Sequence, residues 1–211
     1  MTKEQISFLE YKKENPNRLI QEQFAALEQE IQSPEKETIS DEFLDFKFWC
    51  QGIPCRQEWF AIYLKNEILP KKQLHILEVG CGRYAKLSVL LAKMGYKLTC
   101  MDPKAEPVEE ADIKVQKEEF HYKKTDLTPY DFVVAQEPCE ATEHIVRACS
   151  LQKVPFIIVL CGVPHKQIFG GMPEDVYQWY HYLADIDTEH TKLFIQELYP
   201  RIKTAVIQGV F

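Results

Sequence analysis

The segment from His75 to Lys104 holds the side chains best spaced to bind a ligand together. Gly80 and Gly82 follow a short apolar run, and a glycine turn lets the backbone approach a ligand closely because glycine carries no Cβ. Asp102 ends the next apolar run, 20 residues after Gly82. A carboxylate at that spacing can accept hydrogen bonds from both hydroxyls of a ribose. The segment therefore predicts a site for a ligand that contains a ribose.

Short apolar runs alternate with helical stretches through this region, and these elements must position the site. Runs that are apolar throughout and separated by helices predict an open, mostly parallel α/β sheet with helices on both faces. The carboxyl ends of such strands meet at one edge of the sheet, where ligands bind. The helix predicted over residues 84–94 directs its free N–H groups to that edge. We predict strands over residues 75–79, 96–101, 113–116, 131–135, 156–161 and 202–210.

The residues before Pro70 follow a different pattern, in which apolar side chains recur at helical spacing. Residues 17–32 form one such helix, and Ser33-Pro34 ends it because the residue before a proline is disfavoured in the helical region. The sequence therefore predicts two parts. These are a helical N-terminal extension over residues 1–70 and a ligand-binding α/β domain over residues 71–211.

The composition argues against several classes of protein. The chain has 25 basic and 32 acidic residues, a net charge of -7, and no basic face for a nucleic acid. Its longest apolar run, residues 154–163, is too short to cross a bilayer, and its N-terminus lacks the apolar core of a signal peptide. The seven cysteines have no C-x-x-C spacing, and no residues cluster as metal ligands. We expect a cytoplasmic protein without a metal, a membrane or a nucleic-acid partner.

Two ligands fit the glycine pattern. Read as G-x-G-x-x-A, Gly80, Gly82 and Ala85 match a dinucleotide fingerprint. Read as E-x-G-x-G, Glu78, Gly80 and Gly82 resemble motif I of the class I S-adenosylmethionine-dependent methyltransferases, with a Rossmann-like fold, and in particular its small uncharacterised members. A carboxylate at Glu78 suits a cationic sulfonium better than a pyrophosphate. This favours the methyltransferase interpretation.

The resemblance covers residues 74–162 and implies a site for S-adenosylmethionine. It places Glu78, Gly80 and Gly82, with Cys81 between the glycines, at the methionine end of the cofactor. It further places Asp102 at the ribose and Glu119, beside Phe120, at the adenine. Gln136 and Glu137 fall next to the reactive methyl group. The usual antiparallel pair of strands at the C-terminal edge is reduced to one recognisable strand.

The resemblance implies methyl transfer to a small-molecule or protein acceptor. Such a transfer can be catalysed largely by positioning the two reactants, and Glu137 and His165 are the only candidate general bases. Tyr84 replaces the usual third glycine, which keeps open a non-catalytic nucleotide-binding module on the same scaffold. Ala85 keeps open a nicotinamide-dependent oxidoreductase. The segment from Gln136 to Cys139 lacks the Asn/Asp-Pro-Pro-aromatic signature of amino-group methylation, so the acceptor is not assigned.

Overall fold

A computed structural model describes residues 3–14, 21–32, 41–52, 55–69, 73–109, 112–163, 173–199 and 202–211. The chain divides into two compact units, Met1–Trp59 and Phe60–Phe211. The division falls inside helix α4 (Arg56–Tyr63). The predicted boundary at residue 70, between the helical extension and the ligand-binding domain, stays a prediction.

The first unit contains helices α1 (Lys3–Glu14), α2 (Gln21–Gln32) and α3 (Asp41–Cys50). Their apolar sides meet in an aromatic core, in which the rings of Tyr11 and Phe46 lie edge to face at 5.4 Å between centroids. The apolar residues recur at helical spacing in the sequence because this core buries them. Its buried members are Phe8, Tyr11, Phe24, Leu27, Phe43 and Phe46.

The second unit is built on a seven-stranded sheet. A π-helical turn, Leu64–Ile68, continues from α4 and precedes the first strand. Three helices connect or flank the strands: α5 (Lys86–Lys93), α6 (Thr142–Gln152) and α7 (Val176–Ala184). The strands are β1 (His75–Val79), β2 (Lys97–Met101), β3 (Ile113–Gln116), β4 (Phe132–Gln136), β5 (Phe156–Val159), β6 (Thr191–Tyr199) and β7 (Ile202–Gly209).

The strand order is β3-β2-β1-β4-β5-β7-β6. The first five strands run parallel, and β7 lies antiparallel to both β5 and β6. The chain leaves β1 toward one side of the sheet and returns to β4 on the other side. The gap between the carboxyl ends of β1 and β4 is therefore the topological switch point, where ligands bind in sheets of this kind.

The expectation of a single strand at the C-terminal edge was wrong, because β6 pairs with β7 there. As an edge strand, β6 leaves one backbone side unpaired and mixes polar with apolar residues. Ile195 in its middle is 59% exposed, whereas Leu198 is buried. This mixture hides the alternation that marks a half-buried strand.

Helices cover both faces of the sheet, as predicted. The face that carries Glu78 receives α5, whose Ser88 is hydrogen-bonded to Glu78. The opposite face carries Leu77 and Val79 and forms the main core with α6 and α7. Trp179 of α7 is 1% exposed there. The fold is thus an open, mostly parallel Rossmann-like α/β sheet with helices on both faces, and the predicted fold class is confirmed.

Candidate cofactor-binding site

The turn that follows β1 is built from residues in the left-handed region of backbone conformation. Gly80 has φ +72° and Gly82 has φ +67°. Ala85, the residue before α5, has φ 44°. The Gly80 N–H still donates to the Met101 carbonyl, 2.9 Å away, so the turn begins within the pairing of β1 and β2. Glycine adopts such φ values without the strain that a side chain brings.

The two glycines differ in what surrounds them. A Cβ at Gly80 would lie 3.0 Å from both Cα and Cβ of Pro138, in the loop after β4. A Cβ at Gly82 would meet nothing within 4 Å. Gly80 therefore serves the packing of two loops, whereas Gly82 offers an open backbone surface to a ligand.

Asp102 lies beside this open surface. Its Oδ2 accepts a hydrogen bond from the Gly82 N–H at 3.0 Å, and its Oδ1 accepts one from the Lys104 N–H at 2.7 Å. A carboxylate has about four acceptor positions on its two oxygens. Asp102 is half-buried, so it retains acceptor positions for the hydroxyls of a ribose. Gly82 and Asp102, which lie 20 positions apart in the sequence, are thus in direct contact.

Two more contacts tie the glycine turn to the loop after β2. The Arg83 Nε lies 2.6 Å from Glu106 Oε1, and the Glu106 N–H donates to the Arg83 carbonyl at 2.8 Å. The Arg83 guanidinium also lies 6.0 Å from the centre of the Tyr84 ring. Tyr84, in the place of the third glycine, is half-buried in the turn. Sequence reasoning missed Glu106, because no pattern in the sequence marks an acidic residue in this loop.

Glu78 is placed beneath the turn rather than on its open side. It is 3% exposed, and its Oε2 accepts from the Ser88 N–H at 2.8 Å and from the Ser88 hydroxyl. Burial raises the pKa of Glu78 to about 7, against the opposing effect of these two hydrogen bonds. The Ser88 N–H, one of the groups at the start of α5 that was expected to face the crevice, therefore donates to Glu78 instead. A contact between Glu78 and a cofactor stays a prediction.

Cys81 is half-buried between the glycines, and its thiol donates to the Gly82 carbonyl at 3.4 Å. A hydrogen bond with the Cys100 thiol raises the pKa of Cys81, and burial raises it further. Such a thiol is a poor nucleophile at neutral pH. This environment favours a structural role for the side chain.

Gln136 ends β4, and Glu137 begins the loop that follows it. The Gln136 Oε1 is buried and has no hydrogen-bond partner within the part of the chain that the structure describes. An acceptor atom in this state is suited to a donor supplied by a ligand. Glu137 is exposed, has φ 52°, and donates its N–H to the Val159 carbonyl at 2.9 Å.

The remaining predicted residues are in the loop after β3 or outside the described residues. Glu119 is exposed in the loop after β3, whereas the neighbouring Phe120 is 6% exposed and belongs to the main core. The placement of Glu119 and Phe120 at an adenine stays a prediction. His165 falls in residues 164–172, outside the described residues.

Across the described ranges, no three His, Cys, Asp or Glu side chains are grouped as they would be around a metal ion. Within the same residues, every helix is too short or too polar to span a bilayer.

The fold and the glycine turn define an open α/β protein with a candidate ligand crevice at its switch point. No protein-family model matches the chain, and no curated protein matches it. Among solved structures it resembles magnesium protoporphyrin IX methyltransferase from Synechocystis PCC 6803, with 15% identity over 84% of this chain and 90% of the other, and a TM-score of 0.49.

A second similar structure is the glycopeptide N-methyltransferase MtfA, with 11% identity, coverage of 74% and 94%, and a TM-score of 0.49. A third is the bifunctional kinase-methyltransferase WbdD, with 13% identity and a TM-score of 0.41. The match covers 73% of this chain but only 37% of WbdD. The assignment of the fold rests on the strand order and register described above.

Proposed function

We propose that this chain is an S-adenosylmethionine-dependent methyltransferase acting on a small-molecule or protein acceptor. The observation that carries the proposal is the glycine turn at the switch point, open at Gly82 and hydrogen-bonded to Asp102. This arrangement joins a bare backbone surface to a carboxylate that can hold a ribose. Both face the edge of the sheet where ligands of such folds bind.

The strand order supports this reading over a nicotinamide-dependent oxidoreductase. Dinucleotide-binding sheets of the Rossmann type have the order 3-2-1-4-5-6 and run parallel. Here β7 is inserted antiparallel between β5 and β6. Asp102 alone does not separate the two ligands, because a carboxylate can hold the ribose of either.

The residues of the crevice suit the proposed cofactor. Asp102 holds the ribose, Gly82 admits the ligand close to the backbone, and Gln136 Oε1 supplies an unused acceptor at the end of β4. S-adenosylmethionine supplies an electrophilic methyl group on its sulfonium. The task left to the protein is to hold the acceptor in line with that group, which can provide most of the rate enhancement. Glu137 is the candidate that would take up a proton from the acceptor.

Calorimetric titration with S-adenosylmethionine, S-adenosylhomocysteine and NAD tests the proposal. We expect the two sulfur ligands to bind and NAD to give no signal. Asp102→Asn keeps an oxygen for the Gly82 N–H but removes the charge, and it should weaken binding by about tenfold or more, since hydrogen bonds to a charged group contribute roughly 1.5–3 kcal/mol.

Asp131→Asn is the matched control. Asp131 accepts a hydrogen bond from the His75 N–H at 2.8 Å, at the opposite end of β1, so its replacement should leave the affinity unchanged. Binding of NAD alone would contradict the proposal in favour of an oxidoreductase. An absence of binding by all three ligands would favour a scaffold without this cofactor.

A further inference from the structure

Two histidine rings lie in contact where the loop after β3 meets the first turn of α6. The rings of His121, in the loop, and His144, in the helix, are 4.6 Å apart between their centroids. The ring of Tyr122 stacks on both, at 5.4 Å from His121 and 5.6 Å from His144. All three side chains are half-buried. The rings therefore form one contact surface between the loop and the helix.

Each imidazole accepts a backbone N–H of the loop through its Nδ1. The Tyr122 N–H donates to His144 Nδ1 at 3.4 Å, and the Lys123 N–H donates to His121 Nδ1 at 3.2 Å. A neutral imidazole carries one proton, so an Nδ1 that accepts leaves that proton on Nε2. A second proton can then bind only at Nδ1, which stops accepting. Protonation of His144 therefore breaks its hydrogen bond with the loop.

The far end of the same loop is held by a side chain that does not titrate. Gln152, the last residue of α6, accepts the Leu127 N–H at 2.8 Å and donates to the Thr125 carbonyl at 2.9 Å. Phe120, just before the turn, and Leu127, just after it, are both buried in the main core. Residues 121–124, between these anchors, are the part of the loop that the rings hold against α6.

The surroundings of His144 favour its neutral form. Burial lowers the pKa of His144 from the ordinary value of 6.5, and the neighbouring His121 adds to the lowering. His144 is also the third residue of α6, near the positive end of the helix dipole, which disfavours a cation. The docked loop therefore takes up a proton at His144 less readily than a released loop does. Docking is favoured above about pH 6.5 and weakens as the pH falls below that value.

The charged groups near His144 act in both directions. Arg147, one turn further along α6, also lowers the pKa of His144, whereas Glu143 and Glu119 raise it. Glu143 is paired with Arg147, whose Nε lies 2.9 Å from Glu143 Oε1. On the loop side, the Nζ of Lys123 lies 5.4 Å from the centre of the tyrosine ring that stacks on His144. The pKa of His144 is lowered by the sum of these surroundings.

We propose that the His121–His144 pair is a pH-sensitive switch, which releases residues 121–124 from α6 when His144 takes up a second proton. The proton binds at Nδ1, the Tyr122 N–H loses its acceptor, and the imidazolium faces the ring of His121 at contact distance. Release frees the Tyr122 ring, which packs against the main core in the docked loop. No covalent bond changes, so the loop docks again when the pH is raised.

Amide exchange of the whole protein, measured by NMR and divided by the intrinsic rate at each pH, tests the proposal. Between about pH 7.5 and about pH 5, we expect the protection of the Tyr122 amide to fall by about tenfold or more. A pKa difference of one unit between the docked and released states gives that factor. The Leu127 amide, held by Gln152, should keep its protection, which distinguishes release of the loop from unfolding.

Two variants of His144 separate the effect of the proton from that of the ring. His144→Asn keeps an acceptor oxygen near the position of Nδ1 and does not titrate, so the Tyr122 amide should stay protected at both pH values. His144→Phe keeps a ring without an acceptor, so this protection should already be low at about pH 7.5. The Leu127 amide should stay protected in both variants.

His181→Asn is the matched control, because His181 is exposed on α7. This variant should respond to acid as the unmodified protein does. Protection of the Tyr122 amide that does not change with pH in the unmodified protein would overturn the proposal. So would a loss of protection in acid that persists in His144→Asn.

Discussion

The two loops that flank the switch point both contain left-handed backbone conformations, but different kinds of residue adopt them. The turn after β1 takes its left-handed φ values at Gly80 and Gly82, while the loop after β4 takes them at Glu137 and Cys139. The loops touch where Pro138 packs on Gly80. The first loop thus has glycine at two of its left-handed positions, whereas the second has residues with side chains at both.

This difference in residue type suggests different roles for the two loops of the crevice. A bare turn lets a ligand approach the backbone, and Asp102 fixes that turn from the next strand. A left-handed non-glycine residue costs roughly 1–2 kcal/mol. The proposed function assigns the cofactor to the first loop and the acceptor to the second.

The largest expected effect concerns the support beneath the first loop. Burial raises the pKa of Glu78 to about 7 in the folded protein, above the ordinary value of 4.5. Between these values the folded protein binds more protons than the unfolded chain, so the free energy of unfolding should fall as pH rises from about 4.5 to about 7. A shift of this size corresponds to about 3 kcal/mol. Glu78→Gln should remove this fall, measured by urea unfolding across that pH range.

Glu109→Gln is the control for this measurement, since Glu109 is exposed in the same unit. It should leave the pH dependence of the unfolding free energy unchanged. A Glu78→Gln protein with the same pH dependence as the unmodified chain would show that Glu78 is ionised in the folded state.

The next effect separates the two glycines of the first loop. Gly80→Ala adds the strain of a positive φ and a Cβ 3.0 Å from Pro138, so it should lower the unfolding free energy by about 2–3 kcal/mol. Gly82→Ala adds only the strain and should lower the unfolding free energy by about 1 kcal/mol. Its Cβ fills the open surface, however, so it should weaken binding of the proposed cofactor. Thermal unfolding and calorimetry measure the two effects. Equal stability losses would show that the Pro138 contact adjusts without cost.

The smallest effect tests the strain in the second loop. Glu137→Gly should raise the unfolding free energy by about 1 kcal/mol, because glycine adopts the left-handed conformation without a penalty. Lys153→Gly is matched to it, since Lys153 has φ 55° at the end of α6, away from the switch point. Both variants should gain stability, but Glu137→Gly alone should lower methyl transfer. Stability gained at Lys153 alone would mean that the Glu137 backbone is not strained.

The sequence predicted the strands that are buried on both faces of the sheet. The strands β1, β2, β4 and β5 lie inside the sheet and consist mostly of buried apolar residues, so their patterns were clear. Strand β6 was missed because an edge strand with exposed side chains loses that signal. The contact between Gly82 and Asp102 followed from motif spacing, since the spacing reflects one strand-helix-strand unit.

The rest of the site depends on register and on which way a side chain turns. Glu78 alternates with apolar residues in β1, and only the packing of α5 shows that Ser88 takes its carboxyl. That contact required the assembled sheet.

Hydrogen exchange with and without S-adenosylhomocysteine tests the central claim most directly. The account predicts that the ligand slows amide exchange in residues 80–85 and 102–106, where Gly82, Asp102 and Glu106 join the two loops. Exchange in β6 and in α1 to α3 should not change. Protection confined to other segments, or no protection at a ligand concentration that saturates binding, would contradict it.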